Sequence, residues 1–161
     1  MRSRLVLPTW DGSLHEVKIS PLCGETQVEF QIRYYKGEGG EERSVAALLR
    51  FHQVASLDME VNCFDQPVGA DLGGFYEILD GDFKKQLLEK VFENRKTGYL
   101  FHGSYDYDPE DPADMLNFRG PVEAMLRDVD GFHLYQLQTM GGICHILSRD
   151  YELVEREELD V

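Results

Sequence analysis

The alternation of apolar and polar residues predicts β-strands through the first third of the chain. The clearest run covers residues 26–35, where one side of an extended chain is apolar and the other is polar. The apolar positions of this run are Val28, Phe30, Ile32 and Tyr34. Shorter runs at residues 4–7 and 14–20 predict two earlier strands, separated by turn residues such as Asp11-Gly12. Three strands in succession indicate an antiparallel meander.

Residues 43–62 have apolar side chains on both faces of an extended chain. Val45, Ala47, Leu49 and Phe51 share one face, and Ala46 and Leu48 share the other with Arg50 and His52. This pattern, followed by simple alternation from residue 57 onward, predicts a central strand that leads into a half-covered one. A helix over residues 44–51 is the alternative, because Ala and Leu favour helices. The β-branched and aromatic residues favour the strand.

A change to helical spacing follows residue 80. Phe83, Leu87, Leu88, Val91 and Phe92 recur on one side of a helix whose other side is charged. Asp80 or Asp82 is expected to cap its N-terminus, and Gly98 is expected to end it. The stretch before it, residues 65–74, is rich in glycine and is predicted to be irregular. A second short helix is predicted from Pro121 to residue 127.

The last third of the chain predicts a hairpin. Residues 132–140 and 143–148 are its strands and Gly141-Gly142 its two-residue turn, with further strands at residues 99–102 and 151–154. The prediction is an α+β fold with a mainly antiparallel sheet of about seven to nine strands and one principal amphipathic helix packed on it. Residues 1–154 are expected to form a single domain, and residues 155–161 an acidic, frayed tail.

Charge and composition limit the classes of partner. The formal net charge is −14, from 30 acidic and 16 basic residues, which argues against nucleic acid or an anionic membrane and favours a basic protein or a cation. No apolar run approaches the roughly 18 residues of a membrane helix, and the N-terminus has no apolar core of signal-peptide length. Three cysteines without CxxC spacing indicate reduced thiols in a cytoplasmic protein.

The sequence predicts no catalytic residues, metal site or cofactor. With a Gly141-Gly142 turn, His133 and His145 point to opposite faces of the hairpin, and HxH and HExxH spacings are absent. Cys144 and His145 are neighbours in a strand, so they face opposite ways and Cys144 is expected to be a buried apolar residue. Glu77, with Asp80 and Asp82, is interpreted as part of a helix cap rather than an acid–base site.

Residues 103–114 form an acidic loop, the most distinctive surface feature predicted. Asp106, Asp108 and Glu110 have the spacing of a calcium loop, but Asp111 replaces the required glycine and Asn117 the closing glutamate. The loop is instead predicted to bind a basic partner, with aromatic anchors among carboxylates. The candidate residues are Tyr105, Asp106, Tyr107, Asp108, Glu110, Asp111 and Asp114. The alternative is a solvated loop whose tyrosines fold onto the core.

Three segments carry a resemblance to a known class of proteins. The Leu14-His15-Glu16 opening, the spacing of Leu49, Phe51, Val54 and Leu57, and the hairpin of residues 132–148 resemble small acidic bacterial proteins. Some of these are immunity proteins of polymorphic toxin systems. The chain has His15-Glu16 where the class has His-Asp. Many other proteins of this class are uncharacterised, and the resemblance implies no catalytic residues and transfers no partner.

The leading hypothesis is therefore a non-enzymatic cytoplasmic protein whose acidic surface engages a basic protein, as an immunity protein would. A hydrolase or metal-dependent enzyme, with His and Asp or Glu side chains assembled only by the fold, is the first alternative. A structural subunit of a homo-oligomer, joined through a sheet edge, is the second. The sequence leaves the oligomeric state open.

Overall fold

The computed structural model describes residues 2–37, 40–62, 64, 71–100 and 106–156, with side chains omitted for 97–100. The chain forms two compact units, Met1–Leu79 with Phe132–Val161, and Asp80–Gly131. The described part of the first unit contains a seven-stranded antiparallel sheet, and that of the second contains three helices. The α+β class and the antiparallel sheet are confirmed. The seven strands described are at the lower end of the predicted number.

The sheet is built from strands that are distant in sequence. Its spatial order is β1-β5-β6-β7-β4-β3-β2, with every neighbouring pair antiparallel. The strands are β1 (Ser3–Leu7), β2 (Ser13–Leu22), β3 (Glu25–Lys36), β4 (Arg43–Val61), β5 (Leu72–Ile78), β6 (His133–Thr139) and β7 (Gly142–Arg156). A bridge between Ser13 and Asp71 joins the start of β2 to the start of β5. The sheet is therefore curled, with an inner and an outer face.

The inner face contains the core of the first unit. Phe30 pairs with Leu49 across β3 and β4, and Val28 pairs with Phe51, so the apolar positions predicted for both strands meet. The ring of Phe51 lies 5.7 Å from that of Phe30 and 5.5 Å from that of Tyr135, centroid to centroid. Edge-to-face and tilted aromatic packing at these distances adds to the stabilisation from burial. The sequence pattern of β3 is confirmed.

Residues 43–61 form the single strand β4, between β7 and β3, so the helical alternative for residues 44–51 is wrong. Gln53 has φ of 49°, and the register with β7 shifts between Val54 and Ser56, which marks a β-bulge. Before the bulge the inner face is fully buried, whereas Met59 and Val61 after it are exposed. The predicted change from a central to a half-covered strand thus occurs within one strand.

The predicted turn of the closing hairpin is wrong by one residue. Thr139 pairs with Gly142, so the turn consists of Met140 and Gly141. Gly142 has φ of 156°, and an added Cβ there would collide with the carbonyl oxygen of Glu60. The second glycine is therefore required by close packing against β4, and not by the turn.

Strand β7 joins the two strands predicted at residues 143–148 and 151–154. It also includes Glu155 and Arg156, the first two residues of the predicted tail. The Glu155 carboxylate accepts hydrogen bonds from the hydroxyl of Tyr34 and from Lys36 Nζ, both at 2.8 Å. Residues 157–161 lie outside the described part of the chain. The prediction of a single domain over residues 1–154 stays a prediction.

Strand β5 was missed by the sequence pattern, because residues 65–74 were predicted to be irregular. Its first residue, Leu72, pairs with Thr139 of β6, the register shifts between Leu72 and Phe75, and Phe75 is fully buried. Gly73 also accepts a hydrogen bond on its carbonyl oxygen from the hydroxyl of Thr9. Gly73 and Gly74 were predicted to belong to an irregular stretch, yet they lie within a strand. Residues 65–70 are outside the described ranges.

The second unit contains α1 (Gly81–Leu100), α2 (Met115–Arg119) and α3 (Val122–Asp128). Asp80 caps α1, accepting a hydrogen bond from the backbone of Asp82 at 3.0 Å, as predicted. The helix runs through Gly98, so the predicted end and the return of Tyr99 to the sheet are wrong. Residues 101 and 102 of that predicted strand are not among those described. That α1 packs on the sheet stays a prediction.

Contacts within the second unit connect its helices. Lys84 Nζ donates a hydrogen bond to the carbonyl oxygen of Val129 at 2.9 Å, and burial lowers the pKa of Lys84. Arg95 donates to the carbonyl oxygen of Gly120 at 3.0 Å. Pro121 stands at the N-cap of α3, close to its predicted place. Among the described helices, none combines the length and apolarity needed to cross a membrane.

Candidate functional site

The described part of the acidic loop, residues 106–114, is organised by its own carboxylates. Asp114 caps α2 by accepting a hydrogen bond from the backbone of Leu116 at 3.0 Å, and its second oxygen accepts from the backbone of Asp108 at 3.1 Å. Asp108 and Asp111 each accept from the backbone amide two residues later, at 2.9 Å. Asn117 closes the loop by donating to the carbonyl oxygens of Asp108 and Asp111.

Tyr107 is folded against α1 rather than free to act as an anchor. Its hydroxyl donates to Asn117 Oδ1 at 2.9 Å, and its ring packs edge-to-face on Phe92 at 5.5 Å. Lys96 Nζ lies 5.2 Å from the centroids of both rings, a cation–π arrangement. Tyr105, the other predicted anchor, lies outside the described residues. The alternative interpretation, a loop with its tyrosine folded inward, holds for Tyr107.

Two of the predicted carboxylates remain available to a partner. The side chains of Asp106 and Glu110 are exposed, and neither forms a hydrogen bond or ion pair with any residue that the structure describes. Asp108 and Asp111 are also exposed, and each keeps one carboxylate oxygen outside its turn. The loop therefore presents negative charge outward while its local hydrogen bonds hold it in shape.

The sequence pattern missed an apolar feature beside this loop. The side chain of Phe118 on α2 is 77% exposed, and that of Met115 is 41% exposed. Residues three apart lie on the same side of a helix, so these two side chains are adjacent. The sequence signal for this feature was weak because α2 has only five residues, too few to show helical periodicity. We refer to residues 106–119, with the carboxylates and Phe118, as the loop–helix surface.

A second candidate site lies on the inner face of the sheet, around Glu77 of β5. The Glu77 side chain is 10% exposed, and its two oxygens are bound by different strands. Oε2 accepts from the guanidinium of Arg4, and Oε1 accepts from His133 Nδ1 at 2.7 Å. The interpretation of Glu77 as part of a helix cap is therefore corrected: it is a buried carboxylate within a strand.

The geometry at His133 leaves its other ring nitrogen open. Because a carboxylate faces Nδ1, that nitrogen is the donor, and Nε2 is the nitrogen that can accept a proton when the ring is neutral. The His133 side chain is 47% exposed, and its ring stacks on that of Tyr135 at 5.9 Å. Burial raises the pKa of Tyr135 far above its ordinary value, and the charge of Glu77 raises it further.

The other described histidines are dispersed, and His102 lies outside the described ranges. His145 forms a hydrogen bond with Gln136 Oε1 at 3.0 Å on the outer face, opposite to His133 as the sequence predicted. His15 and His52 hydrogen-bond to Ser13 and Glu152. In the part of the chain that the structure covers, no three His, Cys, Asp or Glu side chains are grouped to hold a metal ion.

Cys144 is a buried residue of the inner face, as predicted. Burial raises the pKa of its thiol to about 11, with a smaller contribution from Asp58, so the thiolate is scarce near neutral pH. His145 points to the outer face and cannot activate it. Cys23 is exposed and free, and Cys63 is not among the described residues.

Comparison with known proteins adds no family to this description. The chain matches no protein-family model, and neither a curated protein nor a solved structure shows significant similarity to it. Functional inference therefore depends on the loop–helix surface and on the Glu77 and His133 pair, whose chemistry differs. The first presents exposed charge beside an apolar side chain, and the second holds one imidazole on a buried carboxylate.

Proposed function

We propose that this protein binds a basic protein through the loop–helix surface and does so without catalysis. The observation that supports this most is Phe118, which is 77% exposed next to the exposed carboxylates of the acidic loop. Aromatic side chains dominate the affinity of many protein interfaces, because they bury a large apolar area. Phe118 takes the role that the sequence had given to Tyr105 and Tyr107.

Electrostatics supports a basic partner. The net charge of −14 and the outward carboxylates of Asp106 and Glu110 attract a positively charged surface and accelerate the encounter. Opposite charges steer association more than they add affinity, so the apolar contact is expected to set the lifetime of the complex. Because the chain resembles immunity proteins, a basic toxin is one candidate for this partner.

The test is affinity capture from the native host followed by mass spectrometry. The first variant carries Asp106→Lys with Glu110→Lys, and the second carries Phe118→Ser. The matched control carries Glu41→Lys with Glu42→Lys, which changes the net charge equally at exposed positions in the first unit. We expect a basic protein that the wild type and the control retain and both loop–helix variants lose. Equal retention by all four proteins, or equal loss from both charge-reversed proteins, would reject the surface.

A second candidate function, acid–base catalysis, is supported by the 2.7 Å hydrogen bond from His133 Nδ1 to the buried Glu77. A carboxylate on Nδ1 orients an imidazole and stabilises its protonated form, which is its role in catalytic triads. His133 Nε2 would then act as a general base toward a water molecule in a hydrolytic reaction. This proposal corresponds to the first alternative from the sequence, a hydrolase whose His and Glu side chains are brought together only by the fold.

Hydrolysis of an activated ester, p-nitrophenyl acetate, tests this second function. If the pair is a catalytic base, His133→Asn lowers the rate per mole of protein by about tenfold or more. His145→Asn, which removes an imidazole from the outer face, serves as the control and is expected to have no effect. A wild-type rate no higher than that of His133→Asn would leave Glu77 and His133 as a structural pair.

A further inference from the structure

The outer face of the sheet carries two adjacent rows of polar side chains across β2, β3, β4 and β7. In the first row, Lys18, Glu29, Arg50 and Glu152 stand opposite one another on successive strands. Arg50 donates to Glu29 at 2.8 Å and to Glu152 at 2.7 Å. The charge of Arg50 is therefore satisfied from both sides, which makes the middle of this row a closed network.

The second row opens into a cleft. Glu16 pairs with Gln31, and Gln31 pairs with Leu48, on three successive strands. The cleft has a volume of about 170 Å³ and is lined by Glu16, Lys18, Glu29, Gln31, Leu48 and Arg156. Leu48, the one apolar lining residue, is only 5% exposed. The walls thus carry both signs of charge around a small apolar base.

Four of the lining side chains are unused by the fold. Glu16, Lys18, Gln31 and Arg156 form no side-chain hydrogen bond or ion pair with any residue described in the structure. Arg50, on the same face, has its charge neutralised by Glu29 and Glu152. The charges of Glu16, Lys18 and Arg156 are not neutralised by any residue that the structure describes. A carboxylate, an amide and two cations converge there without protein partners.

We propose that this cleft binds a small zwitterion of the amino-acid class. Its ammonium group would lie at Glu16, and its carboxylate would lie between Lys18 and Arg156. Gln31 can donate to and accept from either end. A purely anionic ligand would meet Glu16 and Glu29, and a purely cationic one would meet Lys18 and Arg156, so a molecule of one sign is disfavoured.

Volume limits the size of the ligand. Water occupies about 30 Å³ per molecule in the liquid, so the cleft holds the equivalent of roughly six waters. That suits a free amino acid with a short side chain, which has about six to nine non-hydrogen atoms. Since the charged rim is open to solvent, we expect a dissociation constant of about 1 mM or below.

The test is an NMR titration of the full-length protein with L-alanine. Resonances of the Gln31 side-chain amide and the Leu48 backbone should shift saturably. Acetate and ethylammonium, which carry one charge each, should bind about tenfold more weakly or not at all. Glu16→Gln and Lys18→Gln should each weaken alanine binding by about tenfold. The matched controls Glu123→Gln and Arg127→Gln, at exposed positions of the second unit, should leave it unchanged.

The proposal is overturned by any of three results. These are the absence of saturable shifts up to about 20 mM alanine, binding of acetate or ethylammonium as tight as that of alanine, and equal binding by the cleft variants and the wild type. All four substituted side chains are exposed, so the variants are expected to fold. Failure would leave the loop–helix surface untouched, because Phe118 and the acidic loop belong to the other unit.

Discussion

The acidic loop and the Glu77 network both depend on carboxylates, but they use them over different distances along the chain. In the loop, every described side-chain hydrogen bond of Asp108 and Asp111 goes to a backbone amide two residues later. Glu77 instead binds Arg4, 73 residues away, and His133, 56 residues away. The conformation of the loop is therefore stabilised by local hydrogen bonds, whereas Glu77 connects three strands of the sheet.

The two regions also differ in what a carboxylate contributes to stability. Asp106 and Glu110 are solvated and form no ion pair with a described residue, so together they are expected to contribute no more than about 0.5 kcal/mol. Glu77 is 7% exposed as a residue, so its charge has lost most of its water and depends on its two partners. A count of acidic residues identifies the loop, yet the buried carboxylate of Glu77 is expected to contribute more to the stability of the fold.

The largest expected effect comes from removing Glu77. Breaking a buried ion pair costs roughly 3–5 kcal/mol, and Arg4 and His133 recover some hydration, so Glu77→Ala should lower the free energy of unfolding by about 3 kcal/mol. Urea denaturation followed by circular dichroism measures it. Glu123→Ala, on the exposed side of α3, is the matched control. A loss equal to that of the control would mean that Glu77 is no more important than a surface charge.

Tyr34 extends the comparison to a second long-range contact, since its hydroxyl donates to Glu155, 121 residues away. Burial, and then the hydrogen bond to Glu155, raise the pKa of Tyr34 from about 10 to about 12. The folded protein therefore keeps this proton more tightly than the unfolded chain. Its contribution is fully present below pH 10 and is lost as the pH rises toward 12, by about 2 kcal/mol.

Urea denaturation at several alkaline pH values checks this sign. The free energy of unfolding of the wild type should fall more steeply between pH 10 and pH 12 than that of Tyr34→Phe. The raised pKa of Tyr135 acts in the same direction in both proteins, so the difference between the two curves isolates Tyr34. Parallel curves would show that the Tyr34 hydroxyl does not differ between the folded and unfolded states.

Within the loop, the largest expected effect is at Asp114, which caps α2 and also binds the backbone of Asp108. Loss of an N-cap costs about 1 kcal/mol, so Asp114→Ala should destabilise the second unit by about that amount. Amide hydrogen exchange should show faster exchange at Leu116 and Asp108, without change in β5. Asp114→Asn, which keeps a capping oxygen, should restore most of the protection. Unchanged exchange in the alanine variant would mean that the cap does not hold the loop.

The same distinction between local and distant partners explains what the sequence could predict. Strand β3 was predictable because its side chains alternate between apolar and polar, and the two faces of the strand are respectively more and less buried. Strand β5 was not, since Gly73 and Gly74 carry no side chain to show the alternation. Helix α2 is too short for helical periodicity, so Phe118 gave no signal. The pairing of Glu77 with His133 depends on the register of β5 and β6, which no local spacing encodes.

The smallest expected change in stability comes from a comparison of two pairs of substitutions in the acidic loop, which separates the effect of charge from that of hydrogen bonding. Asp106→Ala with Glu110→Ala removes two carboxylates that bind nothing described, and Asp108→Ala with Asp111→Ala removes two that close turns. Both pairs change the net charge equally. The first should alter the free energy of unfolding by no more than about 0.5 kcal/mol, because exposed substitutions away from such contacts have little effect. The second should cost about 1 kcal/mol, as two charge-assisted hydrogen bonds to the backbone are lost. Chemical denaturation measures the free energy of unfolding of the two double variants. Equal destabilisation would mean that the loop's stability depends on its negative charge and not on the hydrogen bonds of its turns.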